Sequence, residues 1–371
     1  MTPRTVCSVE KPILIIGAGI SGLLLAQRLR QEAIPFRVFE RDADLSTRGA
    51  GWGLTLHWSL PALRSLLPDH LAERLPEAYV DRAAVARGAS SGFPFFDLST
   101  GELKATTPKA PESQRIRVTR EGLRNLLATD INIEWEKSLA GITSSPDSAT
   151  AKFDDGSSIV GSLIVAALLQ NDSFVYISVL DAPENHAQSS EKYICQMCVS
   201  WPYRDGFFNN SLPTEIPNSN EERRRFINAL AETWAEPFRT LALNISIDED
   251  IKHLTPQDFV PDLNFRTGDR AVLMGDAFHA MAMYRGEGAN HAIVDVLDFA
   301  NRVVSVLRDN QDIAILRGAL DEYEDAVIKR ARPGTLASRR ACLDAHEWRR
   351  INGDSPLLTK REMMSQYVDD V

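Results

Sequence analysis

Two glycine-rich segments, roughly 250 residues apart, hold the residues best suited to binding a nucleotide cofactor. The first, Gly17-Ala-Gly-Ile-Ser-Gly22, follows an apolar run and fits the G-x-G-x-x-G pattern of dinucleotide-binding turns. In that pattern Gly17 permits the tight turn, Gly19 lets backbone approach a pyrophosphate, and Gly22 allows close helix–strand packing. Glu40 ends the next strand about twenty residues on, where a carboxylate can accept hydrogen bonds from a ribose diol. The segment predicts a dinucleotide site at a helix N-terminus.

The second segment decides between NAD and FAD. Residues 270–276 lead from a strand into a loop at Gly275-Asp276, and residues 286–290 open the helix that follows. An aspartate at a strand end can bind a ribityl hydroxyl. The helix N-terminus offers N–H groups to a pyrimidine carbonyl and to negative charge on a reduced flavin. The two segments together predict FAD as the cofactor.

Hydrophobic periodicity places these segments in a series of alternating strands and helices. The predicted elements are a strand at 13–16, a helix at 21–32, a strand at 36–39, helices at 60–75 and 120–127, short strands over 131–167 with a turn at Asp155-Gly156, a hairpin of 174–180 with 193–201, a helix at 221–240, a strand at 271–274 and one long helix from there to about 308. This order predicts an α/β fold in which the nucleotide-binding core is interleaved with a second domain.

The predicted domains follow from that interleaving. A Rossmann-like, GR2-type FAD-binding domain takes residues 1–88, 115–170 and 255–310. A smaller, truncated β-sheet substrate domain takes residues 89–114 and 171–254, and a C-terminal helical region takes residues 311–371.

Composition limits the partners and the compartment. The net charge of −10 disfavours a nucleic-acid partner, and the basic stretch 329–350 is interpreted as a solvated helix face. Four cysteines, the lack of a signal peptide and the lack of a long apolar span predict a reducing, cytoplasmic location without a transmembrane segment. Cys195 and Cys198 form a C-x-x-C, which we interpret as buried thiols in a strand rather than as a redox pair or a metal site. No metal site is predicted.

The paired motifs resemble those of class A flavin-dependent monooxygenases of the aromatic-hydroxylase type, in particular fungal members of secondary metabolism. The first motif with Glu40 matches, as do Gly275-Asp276-Ala-Phe-His279 and its continuation to Asp295. Arg120, in an Arg-x-x-Leu helix, matches an arginine on the flavin side of the family's site. The resemblance implies a set of cofactor-binding residues: Gly17, Gly19, Gly22, Glu40, Arg41, Arg120, Asp276, Gly286, Gly288, Ala289 and Asn290.

The resemblance also implies the chemistry. NAD(P)H, as co-substrate, would reduce FAD, and one oxygen atom of O₂ would hydroxylate or epoxidise a small organic substrate. We expect Tyr284 and Arg285 at the flavin edge as catalytic residues. We expect Trp201, Tyr203 and Phe207 at the substrate cavity. Simpler alternatives stay open: Asp276 as a helix cap, Arg285 as a surface residue, His279 and His291 as structural residues, and the aromatic residues as core. No role is assigned to Trp52 or His57.

The sequence departs from the family at two places. The strand 163–165 should run into an Asp-Gly motif, but the chain passes through Ala166 to Ser173 almost directly into the later hairpin, so a block is missing. Met283 stands where the family usually has a proline. These departures leave two alternatives: an inactive or mis-spliced family member with impaired FAD binding, or a flavin oxidase or reductase on the same fold. The substrate, the choice between NADH and NADPH, and the oligomeric state are not specified by the sequence.

Overall fold

A computed structural model describes residues 11–49, 51–111, 114–166, 176–185, 193–207, 210–254, 257–309, 312–364 and 367. The strands are β1 Ile13–Ile16, β2 Phe36–Phe39, β3 Gly53–Leu56, β4 Ser90–Ser91, β5 Pro94–Phe96, β6 Leu103–Thr106, β7 Ala110–Pro111, β8 Ile116–Thr119, β9 Ile133–Glu134, β10 Leu139–Ser145, β11 Ser148–Phe153, β12 Ser158–Gly161, β13 Leu163–Ala166, β14 Tyr176–Asp181, β15 Ile194–Cys198 and β16 Ala271–Leu273. The helices are α1 Ile20–Gln31, α2 Leu60–Leu66, α3 Asp69–Arg74, α4 Arg82–Ala86, α5 Arg120–Leu127, α6 Asn220–Ala231, α7 Phe238–Leu243, α8 Asp276–His279, α9 Gly288–Arg302, α10 Val304–Asp309 and α11 Ile313–Ala345.

A five-stranded parallel sheet, in the order β16-β13-β1-β2-β9, forms the centre of the molecule. Ile13 pairs with both Leu163 and Phe36, so β1 lies between the strand that follows it directly in the sequence and one that follows about 150 residues later. The sheet takes strands from all three segments predicted for the FAD-binding domain, and the α/β fold with a Rossmann-like sheet is confirmed. The exact domain boundaries stay a prediction.

The alternation of β1 explains the two layers that cover this sheet, since successive strand residues point to opposite faces. Ile13 and Ile15 belong to the large core that includes helices α1, α9 and α11. Leu14 and Ile16 point the other way, into a smaller core with Phe153 of the three-stranded antiparallel sheet β10-β11-β12. Such continuous apolar strands are typical of parallel sheets covered on both faces.

The second domain is less regular than predicted. Its described strands form separate two-stranded ladders, β4-β7, β5-β6 and β14-β15, rather than one substrate-domain sheet. The hairpin prediction is confirmed, because Tyr176 pairs with Cys198 in an antiparallel ladder. The missing Asp-Gly block falls at residues 167–175, which lie outside the described residues.

Three predicted helices are wrong in their extent, and a proline or a glycine lies at one break in each of them. Pro68 separates α2 from α3, and Pro237 lies between α6 and α7. The predicted helix from 276 to 308 is divided into α8, a short 3₁₀ turn at Met283–Arg285, α9 and α10. Gly286 adopts a left-handed conformation at that turn (φ 64°), which ends the turn before α9 begins. Hydrophobic periodicity in the sequence indicates which face of a helix is apolar, but it does not show where a helix is interrupted.

Two predictions about the burial of side chains are also corrected. Arg330 lies in the basic stretch but is buried, and it forms salt bridges to Asp295 and Asp298. Cys195 is exposed and Cys198 is half-buried, and two residues of strand lie between them, so their side chains point to opposite faces of β15. Throughout the part of the chain that the structure describes, no helix is both long and apolar enough to span a bilayer.

Candidate active site

The turn between β1 and α1 has the conformation that a dinucleotide requires. Gly17 has φ 106°, and a Cβ atom added to Gly22 would lie 2.1 Å from the Gly17 carbonyl oxygen, so only glycine fits there. Glu40 accepts a hydrogen bond from the Ala18 N–H at 2.8 Å, and the buried Arg124 donates through Nε to the Ala18 carbonyl at 2.7 Å. Helix α1 then begins with no side-chain cap and no acidic residue in its first turn. Its N-terminal N–H groups therefore remain available to a phosphate.

The Gly-Asp loop lies directly against this turn. Gly275 has φ 62°, and a Cβ atom there would lie 2.7 Å from Ser21 Oγ. Asp276 begins α8 and Gly288 begins α9, whose first turn also lacks a side-chain cap and acidic residues. Two uncapped helix N-termini thus face one cleft, whose nucleotide side is lined by Gly19, Ile20, Ser21, Arg120, Asp276, Gly286, Gly288 and Ala289.

A buried ionic network supports the Gly-Asp loop from behind. The Asp295 carboxylate accepts hydrogen bonds from the Gly275 N–H and from His279 Nε2, both at 2.7 Å, and from Arg330 at 2.6 Å. Burial alone would raise the pKa of Asp295, but His279 and Arg330 hold it below its ordinary value. His279 therefore has a structural contact, and the buried His291, beside Arg330, has a lowered pKa because of burial and that charge. The structural interpretation of both histidines agrees with these contacts.

Arg120 is the clearest sign that the nucleotide side takes an anionic or polar cofactor. Its side chain is 4% exposed, lies with Cζ 5.2 Å from the Trp52 ring centroid, and leaves Nε without a hydrogen-bond partner among the described residues. Burial, with the neighbouring Arg124, lowers its pKa to about 10, so it stays charged at neutral pH. A buried unpartnered guanidinium is costly unless a ligand supplies the acceptor. With the two helix N-termini, this fits the pyrophosphate and ring oxygens of FAD.

The other side of the cleft is aromatic and cationic. Phe93 stacks on Tyr176, with ring centroids 5.3 Å apart and planes within 11°. Arg117 lies with Cζ 5.6 Å from the Tyr176 ring and donates to the Val179 carbonyl and to the hydroxyls of Thr55 and Ser178. The whole cleft encloses about 1590 Å³, open solvent at its mouth included.

The turn Met283–Arg285 forms the boundary between the two sides. Met283, Tyr284 and Arg285 all line the cleft, so Arg285 is not a surface residue; it is 3% exposed. Arg285 Nε lies 2.6 Å from a Glu287 carboxylate oxygen, and its Nη1 donates to the Pro356 carbonyl and, at 2.8 Å, to Thr359 Oγ1.

A short C-terminal segment, residues 355–361, closes over this turn. Leu357 is buried in a cluster with Tyr284 and Ala341. Arg361 lines the cleft, and it donates to the carbonyl oxygens of four residues, Arg285, Pro356, Leu357 and Thr359. Burial and the adjacent Arg285 lower its pKa to about 10.

Two family models match the sequence. An FAD binding domain matches residues 177–332, and an NAD(P)-binding Rossmann-like domain matches residues 15–59. A probable FAD-dependent monooxygenase from Arthroderma benhamiae is 37% identical over 95% of this chain and 96% of that protein. The FAD-dependent monooxygenase tazP from Aspergillus terreus is 30% identical over 77% of this chain and 88% of its own length. The chain belongs to the FAD-dependent monooxygenases. It is an oxidoreductase that binds FAD.

Solved structures have the same fold as this monooxygenase. The 2,6-dihydroxypyridine-3-hydroxylase from Arthrobacter nicotinovorans superposes with a TM-score of 0.69 at 17% identity, covering 98% of this chain and all of that one. Klebsiella pneumoniae HpxO, complexed with FAD and uric acid, gives a TM-score of 0.64 at 20% identity, covering 93% and 90%. At these identities the likeness establishes the architecture, that of class A flavin hydroxylases.

The cleft of the monooxygenase brings together some of the predicted residues and not others. Glu40 lies beside the first turn, Arg41 is exposed just beyond it, and Asn290 uses its side chain within the protein. The Asn290 amide accepts from the His57 N–H and from Ser59 Oγ, and donates to the Thr55 carbonyl. Asn290 therefore holds the loop after β3 against α9, and any contact with FAD is left to its backbone.

The predicted substrate aromatics lie elsewhere. Trp201 stacks on Phe207 at 6.1 Å and packs against Phe226, while Tyr203 is 67% exposed. The structure thus favours the core interpretation for Trp201 and Phe207. Residues that sequence reasoning missed are Phe93, Arg115, Arg117, Tyr176 and Arg361. Arg115 and Arg117 alternate on the strand before Arg120 and could have been noticed, whereas nothing in the C-terminal sequence marks Arg361.

Proposed function

We propose that this monooxygenase uses NAD(P)H and O₂ to insert one oxygen atom into a small organic substrate, by hydroxylation or epoxidation. The observation that carries the proposal is the cleft itself, where two uncapped helix N-termini and the unpartnered Arg120 adjoin an aromatic chamber. FAD, when bound, supplies the electron transfer and the oxygen activation. The protein's task is then to bind, orient and shield the two reactants.

The predicted cofactor residues divide that task on the nucleotide side. The first-turn N–H groups of α1 would hold the pyrophosphate, with Gly17, Gly19 and Gly22 permitting the approach. Glu40 would hold the ribose hydroxyls and Asp276 the ribityl chain. The first turn of α9, through Gly286, Gly288 and Ala289, would present N–H groups and a positive dipole end to the ring.

Tyr284 is held in one orientation by a directional pair of hydrogen bonds. His346 Nδ1 lies 2.8 Å from the Cys342 carbonyl oxygen, which can only accept, so Nδ1 carries the hydrogen. His346 Nε2 must then accept from Ser200 Oγ at 2.9 Å, and Ser200 in turn accepts from the Tyr284 hydroxyl at 3.4 Å. We assign Tyr284 the role of a fixed cleft wall that orients the substrate.

Arg285 has a fixed position at the cleft. Its guanidinium is neutralised by Glu287 and fastened to residues 356 and 359, so its position is set before a substrate arrives. Ile20, Leu54, Met281 and Met283 also line the cleft and keep it apolar. Such a dry wall protects a reactive oxygen species from decay in water.

The test is turnover with a mass-resolved product. Purified protein is supplied with FAD, NADPH or NADH, and a panel of hydroxylated aromatic compounds, while NAD(P)H oxidation and O₂ uptake are followed together. Substrate-dependent consumption with a product one oxygen atom heavier, labelled from ¹⁸O₂, is expected. NAD(P)H oxidation that yields only hydrogen peroxide for every compound would favour a flavin oxidase or reductase instead.

An FAD-binding chain without efficient turnover is a second candidate, and one observation favours it. The alignment with the Arthroderma benhamiae relative spans 419 positions, whereas the whole chain has 371 residues, so at least 48 positions (419 less 371) of that alignment have no counterpart here. This supports a missing internal block, whose place after Ala166 is the prediction made from the sequence. Restoring a block of the relative's sequence after Ala166 and comparing NAD(P)H turnover separates the two candidates.

A further inference from the structure

The C-terminal segment 355–361 is held at the cleft in two different ways along its length. Its first part is held by apolar packing, since Leu357 is buried in a cluster with Tyr284. Its last part, residues 359–361, is exposed or half-buried, and it is held by hydrogen bonds that involve arginine side chains. Apolar packing does not depend on charge, whereas these hydrogen bonds do. A change of charge can therefore release the last part and leave the first part in place.

Arg285 connects the last part of the segment to the interior. Its Nε donates to a carboxylate oxygen of the buried Glu287 at 2.6 Å. Its Nη1 donates in the other direction, to the Pro356 carbonyl and, at 2.8 Å, to Thr359 Oγ1. Arg361 completes the attachment, because its Nε donates to the Arg285 carbonyl at 2.9 Å. The position of Arg285 thus sets the position of the end of the segment.

Glu287, directly before the first residue of α9, is the carboxylate that acts on both arginines. Its Oε1 accepts from the Trp58 indole N–H at 3.3 Å, and Trp58 meets the His291 ring edge-on at 4.9 Å. The carboxylate is therefore fixed between the loop after β3 and the turn that carries Arg285. Burial and Arg285 lower the pKa of Arg361, and the negative charge of Glu287 acts in the opposite direction.

Two guanidinium groups and one carboxylate thus meet at this point. Arg285 and Arg361 repel each other, and the charge of Glu287 offsets that repulsion. Removing one partner of a buried ion pair is strongly destabilising, because it leaves a buried charge uncompensated. Arg285 is 3% exposed, whereas residues 359 and 360 are in contact with solvent. The smallest rearrangement that relieves the repulsion is therefore the release of residues 359–361.

We propose that Glu287 is a positioning residue for the monooxygenase reaction, which acts through Arg285 to fasten residues 359–361 and so closes the edge of the cleft at the first turn of α9. Arg361 lines that edge together with Gly286 and Gly288, so its release opens the edge to water. Water there diverts the reaction: O₂, NAD(P)H and a proton then yield H₂O₂ and NAD(P)⁺, and no oxygen atom reaches the substrate. This consequence for the reaction rests on the proposed function, whereas the attachment of the segment does not.

The attachment is measured by limited trypsin digestion of the FAD-loaded protein, with the products identified by mass. Cleavage after Arg361 requires that its side chain leave its four carbonyl acceptors and enter the protease, so the initial rate reports release. Cleavage after the exposed Arg349 gives the reference rate in each sample. Glu287→Gln keeps an acceptor for Trp58 but removes the charge, and the ratio of the two rates should rise about tenfold or more. An unchanged ratio would overturn the proposal.

Three further variants separate this charge from general effects on the fold. Glu77→Gln, which weakens an exposed ion pair with Arg74, is the matched control and should keep the wild-type ratio. Thr359→Val removes the hydroxyl that Arg285 uses and should raise the ratio several-fold, whereas Thr359→Ser keeps the hydroxyl and the wild-type ratio. Thr359 is exposed, so these two variants decide the attachment even if Glu287→Gln does not fold. Equal ratios in the two would contradict the proposal.

The consequence for the reaction is measured as the share of consumed O₂ that is released as H₂O₂ during substrate turnover. Glu287→Gln should raise that share, while the rate of NAD(P)H oxidation per bound FAD is retained. A lower rate of NAD(P)H oxidation with an unchanged share would indicate a structural role alone and would contradict the positioning role. If no substrate is turned over, the role in the reaction fails together with the proposed function, and the trypsin ratio by itself decides the attachment.

Discussion

The nucleotide side of the cleft is built from two continuous sequence motifs, whereas the substrate side takes single residues from segments far apart in the chain. On the nucleotide side, the site is shaped by backbone N–H groups and by positive φ angles, for example at Gly17 and Gly275. On the substrate side, the cleft is lined by side chains such as those of Arg117 and Arg361. Backbone geometry of this kind demands glycine at fixed spacing, so it leaves a readable pattern. Side chains that converge from distant segments leave none.

The largest expected effect is on the free energy of unfolding, and it follows from removing Asp295, which supports the Gly-Asp loop on the nucleotide side. In Asp295→Ala, the Gly275 N–H, His279 and Arg330 all lose their buried acceptor. Breaking a buried ion pair in this way costs about 3–5 kcal/mol. Urea unfolding of the FAD-free protein measures the cost. Asp258→Ala, which breaks a surface pair with Arg339, should cost less than about 1 kcal/mol, and equal losses would contradict the account.

The second prediction tests whether the first turn depends on its backbone. Gly22→Ala places a methyl group against the Gly17 carbonyl, so the turn must shift. Overpacking of this kind costs about 1–3 kcal/mol, and the shifted N–H groups should bind FAD poorly. Gel filtration after FAD loading measures cofactor retention. Gly141→Ala, whose methyl group would meet nothing within 4 Å, is the control and should keep its FAD.

The third prediction concerns Arg120, the one side chain on which the nucleotide side depends most. Replacing it by Met keeps much of the packing against Trp52 but removes the charge. FAD affinity should fall by about 10- to 100-fold, the equivalent of a charge-assisted hydrogen bond of about 1.5–3 kcal/mol. Fluorescence quenching of added FAD gives the dissociation constant. Arg349→Met is the control and should keep the wild-type dissociation constant. An unchanged dissociation constant in Arg120→Met would show that Arg120 does not contact FAD.

The smallest effect belongs to the substrate side and is measured in mildly acidic solution. The pKa of His57 is about 3 in the folded chain and about 6.5 when unfolded, so the unfolded chain takes up the proton first. Stability is intact above about pH 6.5, and it falls by at most about 1.4 kcal/mol between about pH 6.5 and 5.5. His57→Asn should remove the contribution of His57 to the pH dependence of the free energy of unfolding, as measured by urea unfolding at several pH values. The exposed His70 offers the control His70→Asn, which should keep the wild-type slope.

The same difference explains how far the sequence could predict the molecule. The parallel sheet, the βαβ unit, the Gly-Asp loop and the hairpin of β14 with β15 were predictable, because apolar periodicity and glycine spacing record them. The breaks at Pro237 and Gly286 were visible as residue types, but their effect depends on tertiary packing. Trp201 and Tyr203 were expected at the substrate cavity, but Trp201 packs against Phe207 and Phe226 and Tyr203 is exposed. An aromatic run looks the same in a cavity, in a packed cluster and at the surface.

Charge at the C-terminus was the least predictable feature. The stretch 329–350 looked like a solvated face, yet Arg330 is buried against Asp295, a partner 35 residues away on another helix. Arg361 lies in an irregular segment, which is held at the cleft by the packing of Leu357 against Tyr284 and by hydrogen bonds from Arg285 to Pro356 and Thr359. Neither contact has a local sequence signal.

The central claim is that the two glycine-rich motifs hold FAD in this chain although an internal block of the family is missing. The visible absorption spectrum of the purified protein, before and after FAD addition and gel filtration, tests it most directly. We expect flavin bands that stay with the protein at about one FAD per chain and that weaken in Arg120→Met. A folded protein that remains colourless with excess FAD would contradict the claim and leave the missing block as the part that FAD binding requires.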